Sequence, residues 1–121
     1  MTENNCIYCN ADEYDIIAKN DFGVILPESN ALSKGHCVIV PLRHIGSFFE
    51  LTDKERKSMM TLLELARNEL NLRHQPSGFH IGFNDGDIFG SISSHLHIHI
   101  IPRYEGQILQ LDSRWGMNGE I

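Results

Sequence analysis

The chain has 121 residues, 41% of them hydrophobic, with ten Lys plus Arg against sixteen Asp plus Glu and a formal charge of −6 at pH 7. Such a length fits one compact domain with its own core, here residues 1–121, and excludes two-domain readings. The acidic balance disfavours a nonspecific grip on nucleic acid or anionic lipid, so the expected partner is a small molecule.

No apolar run approaches the roughly 18 residues of a membrane helix, and Met1 to Asn5 lack the basic-then-apolar pattern of a signal peptide. The expected compartment is therefore the cytoplasm. Three cysteines, two of them in Cys6-Ile7-Tyr8-Cys9, do not make a disulfide framework in such a setting.

In chain order, Asp15 to Lys19 and Asp21 to Leu26 read as two short strands around an Asn20-Asp21 turn. Ser33-Lys34-Gly35 turns into His36-Cys37-Val38-Ile39-Val40, a β-branched strand ended by Pro41. Thr52-Asp53-Lys54-Glu55 is a capping box. Met59, Leu63, Ala66 and Leu70 then repeat at helical spacing, which predicts one long helix over Asp53 to Arg73. His74 to Gly78 breaks it, Phe79 to Phe83 reads as a strand, Asn84 to Asp87 as a loop, and His95 to Ile101 as a last strand stopped by Pro102. The predicted class is α+β: a mainly antiparallel sheet of about five strands with one long helix and short helical segments.

Residues alternate faces along a strand, so His95, His97 and His99 share one face while Leu96, Ile98 and Ile100 share the other. Three imidazoles on one face suit two chemistries. They can ligate a metal, or one neutral ring can attack phosphorus or a carbonyl while the others position it and move protons. A metal hydrolase normally sets carboxylates beside its histidines. Residues 29–49 and 88–104 hold no Asp or Glu, where the chain average would place about five, but do hold Lys34, Arg43 and Arg103. That composition favours an anionic ligand, such as a phosphate.

His95-Leu96-His97-Ile98-His99-Ile100-Ile101 resembles the signature of the histidine-triad (HIT) superfamily of nucleotide hydrolases and transferases. The likeness extends through Gly35 to His44, the Thr52 helix, Gly78 to Asn84 and Ile101 to Tyr104, and covers roughly Cys6 to Arg114. It implies that His97 attacks an α-phosphate and carries a nucleotidyl group, with His99 and His36 orienting it and Asn84 near the phosphate. It also implies that base and ribose lie against Leu26, Glu28 and Asn30. Glu28 stands where relatives more often have Asp. A homodimer acting on purine nucleotides, as phosphoramidates or dinucleoside polyphosphates, follows by the same resemblance.

Cys6 and Cys9 have the spacing with which two thiolates hold one Zn²⁺. In relatives that keep this pair, the resemblance implies completion by His44 and His95 and a structural zinc. A redox pair is the rival, but that motif opens a helix after a strand. Cys37, on an apolar strand, reads as a small buried hydrophobe, and His74 and His80 have no motif partner. Before the triad, relatives often read Gly-Gln-Ser or Gly-Gln-Thr where this chain reads Gly90-Ser91-Ile92-Ser93-Ser94. Ser91 and Ser93 are thus the candidate phosphate contacts. Loss of a positioned donor costs on the order of 10² to 10³ in rate, so a catalytically weak or inactive nucleotide-binding protein is the alternative reading.

Overall fold

The computed structural model describes residues 6–10, 15–86 and 95–106. Five strands form one sheet in the order β1-β2-β3-β5-β4, every neighbour antiparallel. They are β1 (Ala18–Lys19), β2 (Gly23–Pro27), β3 (Cys37–Pro41), β4 (Gly78–Gly82) and β5 (Ile98–Arg103). Helix α1 (Asp53–His74) packs on one side against β2, β3 and β5, and a 3-10 turn, Phe48–Glu50, precedes it. This is the α+β architecture expected from the sequence.

The β1–β2 turn lies later than its Asn-Asp pair suggested. Asn20 closes it by accepting from the backbone N–H groups of Phe22 and Gly23 on its Oδ1, so the loop residues are Asp21 and Phe22. Helix α1 carries the full capping box: Thr52 accepts from the Glu55 N–H and Glu55 accepts from the Thr52 N–H. Gln75 ends the helix in the left-handed region at φ 51°. Its buried face is Met59, Leu62, Ala66 and Leu70; Leu63, expected there, is only partly buried beside it.

The last strand begins three residues later than predicted and passes through Pro102. At His95–His97 the ladder to β3 has ended, and Leu96 donates its N–H to Ile45 in the following loop instead. Pro102 lies beyond the last β3 pair, Cys37 with Ile100, so its missing N–H breaks no rung there.

The sheet separates two apolar clusters with the period of two. Ile25, Cys37, Ile39, Leu96, Ile98 and Ile100 meet α1. Val24, Leu26, Val38 and Val40 point the other way and are covered by Tyr8 and Ile16. His99 pairs with Val38 and therefore shares that second face.

Candidate functional site

The face away from α1 collects the histidines. Gly35 turns the chain at φ 92° and delivers His36 to the end of β3, where Glu28 donates its N–H to the His36 carbonyl. Two contacts pin this loop to β5: Ser33 Oγ donates to the Pro102 carbonyl and Tyr104 Oη to the Lys34 carbonyl, both at 2.6 Å. His36 and His99 thus come together from neighbouring strands, and both are buried.

Hydrogen-bond chemistry sets each tautomer. Leu32 donates its backbone N–H to His36 Nδ1 at 3.0 Å, so the ring proton sits on Nε2. That Nε2–H donates to His99 Nδ1 at 2.8 Å, and His99 in turn keeps its proton on Nε2. For His97 the logic runs the other way: its Nδ1 lies 2.8 Å from the His95 carbonyl, which only accepts. Nδ1 therefore carries the proton, and the Nε2 lone pair is left for chemistry. The His97 ring is half-buried, edge-on to His99 at 5.0 Å and stacked on Tyr8 at 4.8 Å.

A second group lies beside it. Cys6 Sγ, Cys9 Sγ, His44 Nδ1 and His95 Nδ1 are all within 4.8 Å of one another and can hold a metal ion. His95 donates Nε2–H to the Pro41 carbonyl at 2.8 Å, which turns the lone pair of Nδ1 toward the two sulfurs, 3.4 and 3.5 Å away. Fixing the outer nitrogen on a carbonyl is how ligating histidines are oriented. Burial pushes the His95 imidazole down to about 4, so it stays neutral, as a ligand must. Burial also raises the Cys6 thiol, and a cation would offset that cost to the thiolate. Cys37, pushed up to about 12 by burial, is the inert core thiol expected.

Glu28, His36 and His99 also converge within 4.8 Å, with a Glu28 carboxylate oxygen 3.8 Å from His99 Nδ1. The tautomers make this a hydrogen-bonded chain rather than a ligand set. A ligating His36 Nε2 would have to give up its proton to Nδ1, where the Leu32 N–H already points.

The other expected residues are placed as follows. Leu26 is buried under Tyr8 in the second cluster. Asn30 is exposed, with its N–H on the Glu28 carboxylate at 3.3 Å. Asn84 follows β4 two residues after Gly82, the partner of His99. Ser91 and Ser93 lie outside the described residues. Arg43, one of three cations read as facing an anion, is committed to Glu55 in a two-pronged pair of 2.8 and 3.0 Å. The sequence reading missed Asp85, which accepts from Ser47 Oγ and the Phe48 N–H and so ties the loop after β4 to the loop after His44. It also missed Tyr8 as a neighbour of His97.

A cleft of about 580 Å³ opens on the helix side, between α1 and β1–β2, with Ile17, Ile25, Leu65 and Arg73 among its walls. Among the described residues, Glu28 and His36 line both this cleft and the histidine cluster. His97 does not line it.

The HIT domain family matches residues 11–106. The chain belongs to the HIT family. Cys6 and Cys9 precede the matched span. An HIT-like protein of Mycoplasma genitalium is 28% identical over 108 residues, covering 86% of this chain and 77% of its own. The adenosine 5′-monophosphoramidase of Schizosaccharomyces pombe is 25% identical over 103 residues, 82% of this chain and 74% of its own. Among solved structures, a zinc-bound histidine triad family protein from Mycobacterium smegmatis superposes with a TM-score of 0.76 at 18% identity, over 88% of this chain and 81% of that one. The HIT fold is therefore shared, and the family includes enzymes that act on nucleotides.

Proposed function

We propose that this HIT protein cleaves purine nucleotides at the α-phosphate through a covalent intermediate on His97. One observation carries the reading: the His95 carbonyl holds the proton of His97 on Nδ1 and leaves the Nε2 lone pair for attack. Nε2 bonds to the α-phosphorus, the bond from phosphorus to the leaving group breaks, and an amine leaving group takes a proton from solvent, which the attacking water of the second step replaces. Water then attacks phosphorus, the P–N bond to His97 breaks, and AMP is released. His36 and His99 hold the array in register through their shared hydrogen bond. Asn84, Ser91 and Ser93 contact phosphate oxygens, and Leu26, Glu28 and Asn30 border the nucleoside. Nucleoside phosphoramidates or dinucleoside polyphosphates are the substrate class, in keeping with the activity named for the Schizosaccharomyces pombe relative.

The Cys6, Cys9, His44 and His95 group holds a structural Zn²⁺ in this reading. A tetrahedral ion with Zn–S of about 2.3 Å and Zn–N of about 2.0 to 2.1 Å requires S···N edges of about 3.5 Å. Three of the four S···N separations are 3.0, 3.4 and 3.5 Å, and the fourth, Cys6 to His44, is within 4.8 Å. Bound there, zinc supplies cohesion and no step of the reaction. The protein acts as a homodimer in the cytoplasm; β4 is an edge of the sheet and exposes Ile81.

The test is a quenched-reaction mass spectrum with adenosine phosphoramidate. An acid-labile adduct about 329 Da heavier, one AMP less water, is expected on the wild type and not on His97→Ala. AMP release at the wild-type rate by His97→Ala would overturn the mechanism. Nucleotide binding with no adduct and no AMP would leave the non-catalytic reading.

A further inference from the structure

We infer that Tyr8 is a positioning residue for His97 and couples occupancy of the metal site to the orientation of the nucleophile. The inference rests on the reading of His97 as nucleophile. Segment 6–10 brings two ligand sulfurs, Cys6 and Cys9, and between them a ring whose face lies on His97, with centroids 4.8 Å apart and planes at 30°. The same ring meets His95 edge-on at 5.9 Å and covers the Val24, Leu26, Val38 and Val40 cluster. Its neighbour Ile7 points to solvent at 55% exposure, and Asn10 turns back on the segment, donating to the Cys6 carbonyl.

The imidazole needs such a partner. Its Nδ1–H bond to the His95 carbonyl sets which nitrogen attacks but leaves the ring free to tilt about that bond, and the His99 contact is only edge-on. A stacked aromatic face removes the tilt, and with it the error in the direction of the Nε2 lone pair. Misplacement of a reacting atom by about 1 Å costs on the order of 10²-fold in rate. Because Tyr8 is anchored by ligands on both sides, loss of the ion frees the ring as well as the sulfurs. The ion thus acts on catalysis without approaching the phosphate.

The test compares wild type, Tyr8→Leu and Tyr8→Phe by metal content, by kcat and KM with adenosine phosphoramidate, and by the NMR shift of the His97 ring protons. Tyr8→Leu should keep the wild-type metal content, lose about 10- to 100-fold in kcat with KM within twofold, and lose the upfield shift that a stacked ring imposes on His97. Tyr8→Phe should restore all three. Chelation of the wild type should move the His97 signals to their Tyr8→Leu positions. The proposal is overturned if Tyr8→Leu keeps kcat, changes KM alone, or sheds the metal, if Tyr8→Phe fails to restore, or if chelation leaves the His97 signals in place. Should the wild type release no AMP, the functional reading falls, and the ring shifts still decide whether the metal loop holds His97.

Discussion

His95 and Pro41 are joined by a 2.8 Å bond from Nε2–H to the carbonyl, and Leu32 and His36 by a 3.0 Å bond of opposite sense, backbone N–H to ring nitrogen. The first prepares a metal ligand and the second forbids one. Purified protein should therefore hold one zinc per chain, not two, by elemental analysis after gel filtration. Cys9→Ser should abolish retention. An ion present at about 1,000 times its dissociation constant stabilises the fold by about 4 kcal/mol, so chelation should lower the melting temperature of the wild type and leave that of Cys9→Ser unchanged. Two ions per chain would contradict the tautomer assignment at His36.

His36 and His99 share one hydrogen bond, and under the proposed mechanism their substitutions should not add. His99→Ala is expected to cost about 10² to 10³ in kcat, His36→Ala about tenfold, and the double variant no more than His99→Ala alone. A double variant that multiplies the two losses would show that each ring acts separately on the substrate.

The elements with strong periodicity are legible in the sequence. The alternation over Leu96 to Ile100 places the histidines opposite the helix, and the capping box at Thr52 starts α1 where expected. Strand limits at β5 were not legible, because β5 leaves β3 at Ile98 while β3 itself runs on to Pro41, and no local signal in His95-Leu96-His97 marks that the Leu96 N–H turns to Ile45 instead. Composition pointed to Arg43 as an anion contact, yet its partner Glu55 lies twelve residues on and reads locally as a cap residue alone. Tyr8 was hidden for a similar reason: its contact with His97 spans most of the chain.

Glu55 links helix start and loop, since one carboxylate accepts from the Thr52 N–H and from the Arg43 guanidinium. Arg43 chiefly, with Thr52, holds its pKa at about 2 against an ordinary 4.5. The folded value lies below the unfolded one, so the contribution is fully present above about pH 4.5 and fades as pH falls toward 2. Arg43 is half-exposed, so solvent screening reduces the worth of the pair to about 1 kcal/mol. Urea unfolding should find Glu55→Gln less stable than wild type by about that amount at pH 7, with the gap closing by pH 2 to 3. A gap that is constant with pH would mean the carboxylate charge plays no part.

Gly35 is constrained twice. Its φ of 92° is a conformation that side chains rarely adopt, and a Cβ there would stand 2.7 Å from Leu70 Cδ2 and 3.1 Å from His74 Cδ2. Gly86 shares the positive φ, at 84°, but a Cβ there would meet nothing within 4 Å. The pair separates backbone strain from crowding. Gly86→Ala should lose about 1 kcal/mol, the cost of the left-handed backbone. Gly35→Ala should lose about 2 kcal/mol or more, because the Leu70 and His74 side chains must also shift. Since His36 is the next residue, its bond to His99 should loosen too, and kcat should fall while zinc stays bound. Equal losses of stability for the two variants in urea unfolding would show that α1 yields at Leu70 without cost.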